Sequence, residues 1–401
     1  MKIGLTFFVV AMVVATFHSA SISSQDSEQS VIVVFHDDAH FRSFPPGLLD
    51  ARAKANPAAW QYLDRAVLGA VRILERQHGF RADHVYSATI RGFAARLTAA
   101  QIEALKSDTL IADIEIDRPM QQFAQALPWG INRIDADLSS TQSGDGAGAV
   151  TNVNVYVLDN GVDRMHPDLN VVNHVNFTTQ VNAATCAHGS RVAGVVAARD
   201  NDLGVVGVIP GAPITAVKVT TCDPLIGSTS VVVKGIDWVT ANAVRPAVAN
   251  MSIGGFPSST LDAAVKRSAD KGIFYAIAAG NSSMDACFTS PQRAGTYPGI
   301  MTVAATASDD AEASFSNYGR CVDIWAPGAE VHTTDLGGGT VTSSGTSYAA
   351  PHVAGTAALY LSTHPVATAA AVETALKQSA VLPGTSSRNG SPVKLVYAGG
   401  Y

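Results

Sequence analysis

The chain has 401 residues, enough for two or three domains, with 47% hydrophobic and only 15% charged residues. That balance belongs to a well-buried globular protein and excludes general disorder. A formal net charge of −6 argues against nucleic acid or an anionic membrane as the main partner.

Lys2 is followed by an apolar run over 5–17 and then by small polar residues around Ala20. The run is too short to span a bilayer and has the layout of a secretory signal, expected over 1–20. No later segment is long and apolar enough to act as an anchor. Secretion makes the four cysteines candidates for disulfides, and four cysteines allow three pairings, among which spacing alone does not choose.

Residues 31–120 read as one small α+β unit. Residues 31–35 form a strand, and Trp60, Leu63, Val67, Val71 and Leu74 recur on one helix face. Residues 85–97 read as strands joined through Gly92. Thr98 with Gln101 three residues on is a capping-box start for a helix through Leu105, and 111–116 alternates as a last strand. A β-α-β-β-α-β order of this kind predicts a ferredoxin-like sandwich. The stretch 117–127 lacks periodicity and reads as an exposed linker of the sort a protease cuts.

Beyond it, short apolar strands over 153–158, 214–219, 247–251, 273–278 and 301–304 alternate with helical stretches over 189–198, 228–239 and 261–271. Buried strands alternating with helices predict a largely parallel sheet covered on both faces, with the working site at the carboxyl ends of the strands.

Four segments carry candidate chemistry. Ser347 lies in Gly345-Thr346-Ser347-Tyr348-Ala349-Ala350-Pro351, a pattern that presents a hydroxyl at a helix start, where first-turn N–H groups are unpaired. A serine hydroxyl needs a base held by a third group. His188 opens a run of small residues, His188-Gly189-Ser190-Arg191, and Asp159 ends a strand before Asn160-Gly161. A buried carboxylate there can fix the imidazole tautomer whose other nitrogen takes the serine proton. Taken alone, Asp159 reads as a turn residue, and His352, inside the serine helix, as a packing residue. Asn281, in Ala279-Gly280-Asn281-Ser282-Ser283, reads on its own as a turn residue or a glycosylation sequon.

Together, in the order Asp, His, Ser, these motifs resemble the subtilisin-like serine peptidases, and more narrowly their proteinase K branch. The resemblance implies an α/β, three-layer domain over 123–401 with a mainly parallel sheet, preceded over 31–120 by an inhibitor-type propeptide that also aids folding. It implies a secreted, monomeric endopeptidase of broad specificity that favours apolar residues before the scissile bond, acts on proteins and peptides, and matures by cutting itself. Asp159, His188 and Ser347 would be the triad and Asn281 the oxyanion donor. Ser252 and Gly254 would pair with substrate main chain, while Ala279 and Gly280 wall the side-chain pocket. Relatives imply the pairs Cys186–Cys222 and Cys287–Cys321. They also suggest structural calcium on Asp323 and main-chain oxygens near Pro291, the alternative being a solvated strand-end aspartate. No cofactor is expected for the chemistry.

Three departures from the family stand out: Ser190 and Arg191 after the histidine, Tyr348 where Met is commoner, and Pro224-Leu225-Ile226-Gly227 in place of a Gly/Ser-rich substrate-binding edge. A catalytically dead scaffold is disfavoured by the intact residues. An α/β-hydrolase esterase is disfavoured because Gly345-Thr346-Ser347-Tyr348-Ala349 is not G-x-S-x-G.

Overall fold

The protein is described from a computed structural model, over residues 28–36, 57–118, 125–222 and 227–401. The expected signal segment 1–20 and Pro224, Leu225 and Ile226 lie outside the described residues. The chain divides into two units, Met1–Met120 and Gln121–Tyr401.

The first unit runs β1 (Gln29–Phe35), α1 (Pro57–His78), β2 (Ala82–Tyr86), β3 (Gly92–Leu97), α2 (Ala99–Lys106) and β4 (Ile111–Ile116). Its antiparallel sheet has the order β2-β3-β1-β4. Alternation sends Val31, Val33 and Phe35 into the core, where they meet Leu63, Val67, Val71 and Leu74 of α1. The expected capping box is present: Gln101 N–H donates to the Thr98 hydroxyl, and Thr98 N–H to the Gln101 side chain. Gly92 is the first residue of β3 and not the joint; residues 87–91 make the turn.

In the second unit α3 (Trp129–Arg133) leads to β5 (Asn154–Asp159), β6 (Val171–Asn176), α4 (His188–Ala197), β7 (Ile214–Lys218), α5 (Thr229–Asn242), β8 (Ala247–Met251), α6 (Ser259–Asp270) and β9 (Phe274–Ala278). Then follow β10 (Ile300–Thr306), β11 (Ile324–Pro327), the hairpin β12 (Val331–Thr334) and β13 (Thr340–Ser343), α7 (Thr346–Thr363) and α8 (Ala369–Ser379). Seven parallel strands form one sheet in the order β11-β10-β9-β8-β5-β7-β6. The strand direction of growth reverses at β5, so the crevice beyond its carboxyl end is a topological switch point, and Asp159 stands there.

Residue parity builds the three layers. Val155 and Val157 point into the core shared with Val192, Val196 and Val353 of α4 and α7, while Tyr156 and Leu158 point to Val232, Ile236 and Val265 of α5 and α6. The subtilisin-like α/β fold expected from the sequence is therefore present, with two edge strands that the periodicity did not reveal. β6, an edge strand with Val172 and Asn173 exposed, mixes the polar Asn173, His174 and Asn176 into its run, and β11 has only four residues and ends at Pro327.

Helix α7 is apolar on all sides, as a central helix must be. It fits because its residues are small. A Cβ at Gly355 would lie 2.5 Å from the Val208 Cβ. Helix propensity alone would favour alanine there by about 1 kcal/mol, but overpacking costs about 1–3 kcal/mol. Gly355→Ala is thus expected to lower the denaturant midpoint; a raised midpoint would show that α7 has slack.

Candidate active site

Asp159 is 1% exposed at the end of β5. Its two carboxylate oxygens lie 2.8 and 2.9 Å from His188 Nδ1. A carboxylate only accepts, so Nδ1 carries the hydrogen and the neutral ring offers Nε2 as a base. The negative charge of Asp159 raises the His188 pKa above 6.5; burial and the Arg191 charge oppose this.

The loop before His188 is fixed from below. Lys218, at the end of β7 and fully buried, donates to the carbonyls of Val181 and Ala183 and to the Thr185 hydroxyl. Cys186 is bonded to Cys222, with Cα atoms 5.7 Å apart, and Cys287 to Cys321, at 5.4 Å. Behind the histidine, Asn160 Oδ1 accepts from Gly189 N–H, and the Ser190 hydroxyl accepts from Asp163 N–H.

Ser347 is the second residue of α7. Pro351, four residues on, has no N–H to give to the Ser347 carbonyl. That orphaned oxygen accepts instead from Ser252 Oγ at 2.8 Å, and Ser252 Oγ in turn accepts from Asn250 Nδ2 at 2.9 Å. The helix start is held again by Asn281, whose Oδ1 accepts from both the N–H and the hydroxyl of Thr346 at 2.8 Å. With Oδ1 committed to donors, Nδ2 is the end turned to the cleft. Ser347 Oγ lies 3.5 Å from the Ser252 carbonyl oxygen, a long contact that leaves the hydroxyl able to rotate.

Two of the family departures meet here. The rings of Tyr348 and His188 are 6.2 Å apart. Arg191 donates from Nε to Asp335 at 2.9 Å and also hydrogen-bonds the Tyr348 side chain. His352 lies wholly buried one turn below, its Nδ1 on the Tyr348 carbonyl and its pKa lowered to about 4 by burial, which suits the packing role.

A cavity of about 450 Å³ opens beside Ser347, lined among others by Ser252, Gly254, Ala278, Gly280 and Asn281. Ala279 is not part of the lining. It is fully buried with Trp325 and Val393, because its neighbours Ala278 and Gly280 take the cavity side; the expected wall shifts by one residue. A second cavity of about 430 Å³ reaches His188, Thr221, Gly227 and Ile253.

Asp323 does not fit a calcium ion, nor is it solvated. Its Oδ1 lies 2.6 Å from Lys377 Nζ, and its Oδ2 accepts from Thr302 N–H at 2.8 Å. Lys377 also reaches Glu373 Oε1 at 2.6 Å, and the Pro291 carbonyl accepts from Ala294 N–H. Calcium wants six to eight oxygens, and an ammonium already supplies the positive charge. Among the described residues no group of three or more His, Cys, Asp or Glu could hold a metal ion. Lys377→Ala would leave the Asp323 charge buried and unpaired. The expected loss is about 3 kcal/mol, read as a lower melting temperature of the inhibitor-blocked protein; an unchanged melt would refute the pairing.

Residues 151–396 match the subtilase family model, Peptidase S8, and residues 30–122 match peptidase inhibitor I9. The chain is 40% identical to an extracellular serine proteinase of Thermus sp. (strain Rt41A), over 74% of this chain and 73% of that protein. It is 37% identical to alkaline serine exoprotease A of Vibrio alginolyticus, over 80% of this chain and 61% of that protein. Among solved structures, a cold adapted subtilisin-like serine proteinase matches with a TM-score of 0.60 and 37% identity, covering 68% of this chain and 98% of that one.

Proposed function

The chain belongs to the subtilase family of serine proteinases and carries an I9 inhibitor segment, and from that premise we propose a secreted endopeptidase in which Asp159, His188 and Ser347 form the triad. The observation that carries the reading is the paired contact of the Asp159 carboxylate on His188 Nδ1. It leaves Nε2 to take the Ser347 proton as Oγ attacks the substrate carbonyl carbon. Asn281 Nδ2 and the unpaired first-turn N–H of Ser347 receive the oxyanion. His188 then returns the proton to the leaving amine, and water repeats the sequence on the acyl-enzyme.

Gly254 makes no backbone hydrogen bond among the described residues, which supports main-chain pairing of substrate along 252–254. Such pairing gives affinity with little sequence choice. Met284 and Phe288 on the cavity wall favour an apolar side chain before the scissile bond. The extracellular relatives and the two disulfides support a secreted enzyme. The I9 segment supports self-cleavage within 117–127, after which residues 31–120 act as inhibitor and folding aid.

Ser347→Ala is expected to leave a folded, uncut precursor without caseinolytic activity; maturation of that variant, expressed alone, at the same bond would reject self-processing. Asn281→Ala should lower kcat by roughly 10²–10³-fold with little change in KM, and a change in KM alone would remove it from the oxyanion site.

Activity needs neutral His188, and Asp159 holds its pKa above 6.5, so kcat/KM should rise along a limb centred above that value. The Arg191 cation opposes protonation of His188. Arg191→Gln should therefore move the limb to higher pH, and movement to lower pH would show that Arg191 acts by some other route.

A further inference from the structure

Among the described residues, two large apolar side chains both stand in solvent and line a cavity described above, Phe256 and Phe288. Phe256 is 94% exposed and borders both cavities. Single exposed apolar residues are ordinary on a protein surface. What distinguishes Phe256 is its mounting. Gly255 N–H donates to the Ser290 carbonyl at 2.9 Å, and Ser290 N–H donates back to the Gly255 carbonyl at 3.1 Å. Pro257 follows with a restricted φ. Ser258, whose N–H donates to Ser290 Oγ at 2.8 Å, then caps α6. With the backbone fixed on either side, the ring has only its own side-chain torsions to lose when something covers it.

Alternation indicates which part of a substrate the ring meets. Ile253 and Gly255 face away from the cleft: the Ile253 carbonyl accepts from Gln292 Nε2, and Gly255 pairs with Ser290. The Ser252 carbonyl lies 3.5 Å from Ser347 Oγ, and Gly254 makes no backbone hydrogen bond among the described residues. An extended chain whose first residue before the scissile bond pairs with Ser252 therefore meets Gly254 with its third. Gly254 offers that third residue no side chain. Its diagonal neighbour is Phe256, at a separation an aromatic ring can cross. The chain bends at Phe256, so this residue contributes its ring and not a further main-chain pair.

We propose that Phe256 determines specificity for the third substrate residue before the scissile bond and selects a large apolar side chain there. Each of the two apolar surfaces removes the other from water, and a small or polar side chain leaves the ring wetted. The inference rests on the reading of Ser347 as nucleophile and of 252–254 as the segment that pairs with substrate.

The test uses enzyme matured from the full chain and the peptides succinyl-Ala-X-Pro-Phe-p-nitroanilide, with X leucine or serine, so that only the third residue changes. Wild-type kcat/KM should favour leucine by about tenfold, which corresponds to roughly 55 Å² of apolar surface removed from water. Phe256→Ser should bring the ratio to near one, whereas Phe256→Tyr, which keeps the ring, should preserve it. The side chain is exposed, so neither substitution disturbs the core. A second pair, succinyl-X-Ala-Pro-Phe-p-nitroanilide, varies the fourth residue, whose side chain points to the opposite face. Its leucine-to-serine ratio should be the same in the wild type and in Phe256→Ser. A wild-type ratio near one at the third residue, a preference there that survives Phe256→Ser, or a loss confined to the fourth residue overturns the inference. Labelling with a serine-reactive phosphonate separates the two possible failures. If Ser347 is not labelled, the nucleophile assignment fails and this inference with it. If Ser347 is labelled and leucine and serine are cleaved alike, the assignment of Phe256 alone is wrong.

Discussion

The start of α7 depends on a hydrogen bond that the helix itself cannot make. Pro351 deprives the Ser347 carbonyl of its helical partner, and Ser252 supplies the replacement from the segment beyond β8. Asn281, from the segment beyond β9, grips Thr346 twice. The position of Ser347 is thereby set by residues that leave the carboxyl ends of two neighbouring strands. A helix start pinned to a sheet in this way needs no rigidity of its own. The parallel register of the sheet fixes the spacing, and short polar side chains pass it on to the serine.

Much of this was legible in the sequence, for reasons that differ by element. The buried strands announced themselves because both faces are covered, which gives uninterrupted apolar runs such as 273–278. The capping box of Thr98 and Gln101 is a local signal, complete within four residues. What stayed hidden depends on pairing across the fold. Lys377 stands 54 residues from Asp323, and no periodicity links them, so a carboxylate matched by position to calcium in relatives is here matched by a lysine. Ala279 lies in the core with Trp325 and Val393 while Ala278 and Gly280 take the cavity side, a phase beyond the end of β9 that the sequence pattern does not reveal. Gln292 carries no motif at all; its amide ties the Ile253 and Ala278 carbonyls together only where β8 and β9 lie side by side.

The departures at Arg191 and Tyr348 look independent along the chain, yet they are a single arrangement. The guanidinium bridges Asp335 and the tyrosine, and the tyrosine ring lies near the imidazole. A large ring beside His188 thus comes with a cation that anchors it. Exchanging either residue alone would leave a buried phenol or an arginine short of a partner, which is a physical reason for the two to be found together.

The bonds Cys186–Cys222 and Cys287–Cys321 lie close in the chain to the proposed catalytic residues. Cys186 precedes His188 by two residues, and Cys287 follows Asn281 by six. Each spans about the same length of chain, 36 and 34 residues, and such closures typically add roughly 3–4 kcal/mol to the folded state. Thiols remain reduced in the cytosol and pair in oxidising compartments, such as the secretory lumen, the periplasm and the extracellular space. The loops before His188 and after Asn281 therefore lack these two closures in the cytosol, and gain them only when the chain enters an oxidising compartment.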